Sequence, residues 1–177
     1  LEAIGTRARA VGATFVVDGT QSIGALPFDV NRVHADFVAC AAYKWLLGPY
    51  GIGFAYIGER FADGDPIEET GIGRAGSDDF RGLIDYRDRY QEGAARFDVG
   101  ERSNFILLPM VIAALEQLGG WGADAIQDYC RRLLQDVLAE AADLAYRIEA
   151  TDWRAAHLVG LRAPAGLDLG ALHAELR

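Results

Sequence analysis

A lysine closes the apolar run Phe37-Val38-Ala39-Cys40-Ala41-Ala42-Tyr43-Lys44. A glycine-punctuated turn, Gly48-Pro49-Tyr50-Gly51, then leads into a second β-rich run from Ile52 to Ile57. Two strands joined by such a turn leave Lys44 at a strand terminus among apolar neighbours. An amine kept from water there loses its proton more readily and becomes a nucleophile, which is what a Schiff-base lysine requires. The competing reading is a solvated loop lysine, since lysine is rarely buried in full. Upstream, the β-rich run Ala13 to Val17 ends in Asp18-Gly19-Thr20-Gln21-Ser22. Carboxylates at strand ends face the crevices of α/β sheets.

These residue types meet the needs of a pyridoxal phosphate site. An anion beside the pyridine nitrogen keeps the ring protonated and able to accept electrons from a carbanion, and Asp18 would supply it. Gln21, three residues on, would hydrogen-bond the phenolate oxygen, and Lys44 would hold the aldehyde carbon as an imine. Read singly, Asp18 is also a plain turn residue and Gln21 a surface polar. A nucleotide-phosphate loop at Gly48 to Gly53 fits less well, because those glycines open a β-rich run rather than a helix.

Four pieces in order, Asp18-Gly19-Thr20-Gln21, Asp36-Phe37, Tyr43-Lys44-Trp45-Leu46-Leu47-Gly48-Pro49 with Gly51-Ile52-Gly53-Phe54, and Arg96-Phe97-Asp98-Val99-Gly100 with Ser103-Asn104, carry a resemblance. The chain resembles the class V aminotransferase family of fold-type I pyridoxal phosphate enzymes, which includes cysteine desulfurases, kynureninases and isopenicillin epimerases. The resemblance implies an α/β fold: the later part of the large cofactor domain, then the start of a smaller α/β C-terminal domain. It implies pyridoxal 5'-phosphate as cofactor, an amino-acid substrate, an aminotransferase or lyase reaction through Lys44, and a homodimer. Many members carry a histidine just before the lysine and a serine three residues before it. Here Tyr43 and Ala41 stand there. The tyrosine is similar to that of kynureninases, where its hydroxyl meets the phosphate, so a kynureninase-like hydrolase is one alternative; an aromatic packing role is the other account of Tyr43. Ser103 and Asn104 match a stretch that reaches the partner subunit's phosphate, or they cap a helical turn. Arg102 reads as an anion ligand or a surface ion pair. Because the resemblance covers only a middle-to-late portion of a family member, an inactive fragment or scaffold is a further alternative.

The elements that must position these residues follow from pattern and composition. With 177 residues and 51% hydrophobic content, the chain has enough apolar surface for one domain or parts of two. The net charge of −9 and pI of about 4.7, with basic residues scattered or paired as in Arg87-Asp88-Arg89, exclude a basic nucleic-acid surface. No apolar run spans a bilayer and no signal peptide opens the chain, so the expectation is a soluble cytoplasmic protein with no membrane partner. Cys40 and Cys130 lack ligand or disulfide spacing and read as buried apolar fillers, and the three histidines lie far apart, so no metal is expected.

Residues 1 to 10 read as the end of a helix, followed by strands at 13–17, 36–41 and 52–57, with a short helical piece near 29–33. Strand, crossover, strand predicts parallel pairing of the first two. Residues 58–96 form a long glycine-rich loop, the kind that is functional or disordered. The resemblance places it at a dimer interface. Pro109 opens a helix that Gly119-Gly120 should stop. Asp124 with Gln127 starts a second helix, whose apolar stripe runs from Ile126 to Ile148. A strand at 157–162 and a helix from Asp168 complete the pattern. The implied domains are 1–108, the cofactor-domain part with its interface loop; 109–150, interdomain helices; and 151–177, the start of an incomplete small domain.

Overall fold

Apolar side chains on alternate positions of two short strands set the centre of the fold. Val17 of β1 (Val16–Asp18) and Val38 of β2 (Phe37–Ala41) are Cα partners in a parallel ladder and are both buried, together with Val33 and Ala35. Phe15, Ile23, Phe28 and Val30 pack against this cluster. Because side chains alternate across a strand, the same register puts Asp18 beside Ala39 on the opposite, exposed face. The third strand, β3 (Gly53–Ile57), runs antiparallel to β2, giving the order β1-β2-β3. The computed structural model describes residues 1–177 apart from Leu83, Tyr86, Ser103 and Arg177.

Helix α1 (Glu2–Ala10) lies against α2 (Val30–Val33) through Gly5, where a Cβ would sit 1.8 Å from the Val33 carbonyl oxygen. The α2 start is built by Asp29, whose side chain accepts from the Asn31 amide, and its end by His34 in the left-handed conformation. The long polar segment after Ile57 holds two short 3₁₀ turns, Glu59–Phe61 and Gly93–Phe97, and an isolated bridge between Arg74 and Tyr90. Charged side chains knit it together. Arg74 pairs with Glu69, which also accepts from the Tyr90 hydroxyl, and Arg96 donates to the carbonyls of Gln91 and Gly64.

Two compact units emerge, residues 1–24 with 28–118, and residues 25–27 with 119–177. Helix α3 (Leu107–Trp121) buries Val111, Ala114 and Leu118. It does not stop at Gly119-Gly120, contrary to the sequence expectation. A glycine inside a helix costs only about 1 kcal/mol, and the break comes at Gly122, which takes a left-handed φ of 77°.

In the second unit, α4 (Ala123–Asp143) starts from Gly122 without a side-chain cap, so the capping box expected from Asp124 and Gln127 does not form. Gln127 points inward instead, donating to the Ala25 carbonyl, accepting from the Ala156 amide and contacting His157 Nδ1 at 2.8 Å. A buried amide is stable only when its polar atoms are paired, and here the inward bonds outweigh a cap. The apolar stripe overreaches as well. The helix ends at Asp143, Ala145 turns the chain at φ 63°, and Arg147–Ile148 (β4) pairs antiparallel with Leu161–Arg162 (β5). Helix α5 (Leu169–Glu175) begins as read, with Asp168 accepting from the Gly170 and Ala171 amides. Among the described residues no helix is long and apolar enough to cross a membrane.

Candidate active site

Parallel pairing brings the C-terminal ends of β1 and β2 to the same edge of the sheet, and with them the residues at issue. Asp18 is the last residue of β1, exposed on the open face. Its Oδ1 accepts from the Thr20 amide at 3.0 Å, and the Thr20 side-chain oxygen accepts from the Ala41 amide at 3.1 Å. Gly19 donates to the Ala39 carbonyl at 2.7 Å and closes the ladder one step earlier. The turn after β1 is thereby tied to the strand that leads to Lys44.

Beyond Ala41 the chain curls into a closed loop. Ala42 donates to Ile52 at 3.0 Å, Gly48 returns to the Ala42 carbonyl at 2.8 Å, and Leu47 donates to the Lys44 carbonyl at 3.0 Å. Leu47 holds a φ of 55°, a conformation that costs a non-glycine residue about 1 kcal/mol or more. Lys44 sits within this loop, half-buried, its Nζ 5.7 Å from the centre of the Tyr43 ring. Tyr43 in turn stacks on Tyr50, with ring centroids 4.3 Å apart. The loop is fixed from a second side by Gly24, whose φ is 98° and whose absent Cβ would stand 2.3 Å from the Trp45 carbonyl oxygen.

The electrostatics agree with the geometry. The hydroxyl and amide of Thr20 hold the Asp18 carboxyl below its ordinary range, more than burial raises it, and the nearby Lys44 charge lowers it further. Asp18 is therefore an anion at neutral pH. Cys40, buried in β2, has its thiol pushed up by burial and then by the Asp18 charge, so it is protonated and a poor nucleophile.

Asp18, Tyr43 and Lys44 are thus gathered at one edge. Gln21 lies in the turn that follows Thr20, on the exposed side. Asn104 is occupied elsewhere: its side-chain oxygen accepts from the amides of Ile106 and Leu107, turning the chain into α3. The capping alternative holds for that oxygen. Ser103 lies outside the described residues. Arg102 pairs with Asp98 four residues earlier, the surface ion pair of the two readings. Sequence reading gave no role to Thr20, Gly24 or Tyr50. An Asp-x-Thr turn after a strand was the one signal available for Thr20.

A model of the family described as aminotransferase class-V matches residues 1–150. The chain belongs to the class V aminotransferase family. Among curated relatives, the uncharacterized aminotransferase YcbU of Bacillus subtilis is 30% identical over 151 residues, covering 85% of this chain and 38% of that protein. A probable cysteine desulfurase of Pyrococcus abyssi is 43% identical over 63 residues, covering 36% of this chain and 16% of its own length. The apo cysteine desulfurase of Thermococcus onnurineus NA1 superposes with a TM-score of 0.68 at 27% identity, covering 99% of this chain and 42% of that one. The chain thus spans less than half the length of these class V relatives, and its mixed α/β fold is theirs.

Proposed function

We propose that this chain carries the lysine and carboxylate part of a pyridoxal phosphate-dependent class V enzyme acting on an amino-acid substrate as an aminotransferase or lyase. The observation that carries the reading is the convergence of Asp18 and Lys44 at one sheet edge, with the carboxylate held charged by Thr20 and Lys44. The donor set fits the cofactor: an amine, an anion fixed by hydrogen bonds, and an aromatic pair beside the amine. When bound, pyridoxal phosphate supplies an electron sink for negative charge developing at the substrate α-carbon.

In this reading Lys44 would hold the cofactor through its amine and move a proton at that carbon. Asp18 holds a negative charge against the ring nitrogen. Gln21 hydrogen-bonds the phenolate oxygen from the adjoining turn. Tyr43 donates its hydroxyl to the phosphate, in the manner that favours a kynureninase-like hydrolase as the second reading. The side-chain amide nitrogen of Asn104, whose oxygen is engaged in the turn into α3, would donate to the phosphate of a partner subunit's cofactor, and the Ser103 hydroxyl is assigned the same role from the family resemblance alone. Residues 1–108 belong to the cofactor domain, 109–150 to interdomain helices and 151–177 to a small domain, within a cytoplasmic homodimer. The coverage of 42% of a related chain supports one further reading, a non-catalytic part of such a protein.

The test is direct. Pyridoxal phosphate added to the purified protein should give a visible absorption band that borohydride fixes onto the peptide containing Lys44. In Lys44→Ala the band and the label should both vanish. A band that survives the substitution removes Lys44 from its role. No band here, with one appearing in a longer chain, supports the non-catalytic reading.

A further inference from the structure

Thr20 meets both strand ends of the site, one through its backbone and the other through its side chain. Its amide donates to Asp18 Oδ1 at 3.0 Å and its hydroxyl oxygen accepts from the Ala41 amide at 3.1 Å. Ala41 is the last residue of β2, three residues before Lys44. A backbone amide at a strand end must find an acceptor, and no further β1 residue offers one, because the chain has already turned at Gly19. We propose that Thr20 is a positioning residue that fixes the Asp18 carboxylate and the start of the Lys44 loop in one register. The proposal rests on the reading of Asp18 and Lys44 as the pair that holds the cofactor.

Three facts argue for position rather than mere turn formation. An Asp-x-Thr turn needs only the Thr20 amide on the aspartate, whereas here the hydroxyl oxygen also accepts from a residue twenty-one positions away. Asp18 is exposed on the open sheet face, so without the Thr20 contacts its carboxylate would be free to rotate. The hydroxyl is also close enough to the carboxylate to act on its charge, which makes Thr20 an electrostatic as well as a geometric support. At metal sites, loss of a partner that orients a ligating side chain typically costs about 10–100-fold in affinity or activity, and the same logic applies to an oriented carboxylate.

The experiment compares Thr20→Val, which keeps the shape and loses the hydroxyl, with Thr20→Ser, which keeps the hydroxyl. The first readout needs no cofactor: amide hydrogen exchange at Ala41. It should speed up about tenfold in Thr20→Val and change less than about twofold in Thr20→Ser. The second is the dissociation constant of pyridoxal phosphate from its absorption band, which should rise about tenfold in Thr20→Val with rescue in Thr20→Ser. Unchanged exchange at Ala41 overturns the proposal. Faster exchange with unaltered cofactor affinity also overturns it, leaving Thr20 a structural residue. If the wild type itself takes up no cofactor on Lys44 while exchange responds as expected, the reading of the site has failed and the positioning role falls with it. That outcome is distinct from a failure at Thr20 alone.

Discussion

At the scale of single residues, the charge on Asp18 has a consequence for acid stability. Its carboxyl is lowered chiefly by the two Thr20 contacts, with Lys44 adding to them. A carboxyl whose folded value lies below its unfolded value favours the folded state wherever it is ionised. The contribution is complete above the ordinary carboxylate range and is lost as pH falls through about 4 and below. Asp18→Asn removes that dependence, so the denaturation midpoint of the variant should fall less steeply than that of the wild type between about pH 5 and pH 3. Urea titrations at several pH values measure it, and parallel profiles would show that Asp18 titrates as it does in the unfolded chain. Asp18, Gln21, Tyr43 and Lys44 were all legible as candidates, because strand-end acids and loop lysines stand out against an apolar run. Thr20 was not. Its role depends on Ala41 lying opposite the turn, and that juxtaposition comes from strand register, which spacing along the chain does not contain.

Elements show the same division between what patterning specifies and what packing decides. Alternation and turn residues made β1, β2, β3 and the Asp168 cap readable, and the short crossover still gives parallel pairing. The ends of α3 and α4 were misread for a common reason: glycines tolerated in one helix and an apolar stripe running past the other are weak punctuation. Gly119 and Gly120 have nothing near their missing Cβ atoms, so neither packing nor backbone requires the helix to end there. Gly5 is the opposite case. A methyl group at that position would overlap the Val33 carbonyl, so Gly5→Ala should force α1 away from α2 and destabilise the protein by about 1–3 kcal/mol. Thermal denaturation of the variant tests this. A melting temperature equal to that of the wild type would mean α1 contributes little through that contact.

For the molecule as a whole, chain order and compact units do not coincide, since Ala25–Pro27 is grouped with residues 119–177. Gln127 is the buried polar group that holds this grouping, bonded to residues 102 positions before it and 29 after it. Gln127→Leu leaves the Ala25 carbonyl and the Ala156 amide without those partners, at a cost of about 2–4 kcal/mol. Faster hydrogen exchange across α4 and at Ala156 is the expected sign, and wild-type protection at both would show that water replaces the lost bonds. Composition left room for one domain or parts of two, but no local pattern assigns three residues after β1 to a unit built a hundred residues later. One detail of the site reaches further than its size. Where position 24 would carry a side chain, the Trp45 carbonyl already occupies the space, so the aspartate's turn and the lysine's loop are held at one fixed spacing. At that point of closest approach the backbone admits hydrogen alone, and any larger substituent would part the two segments.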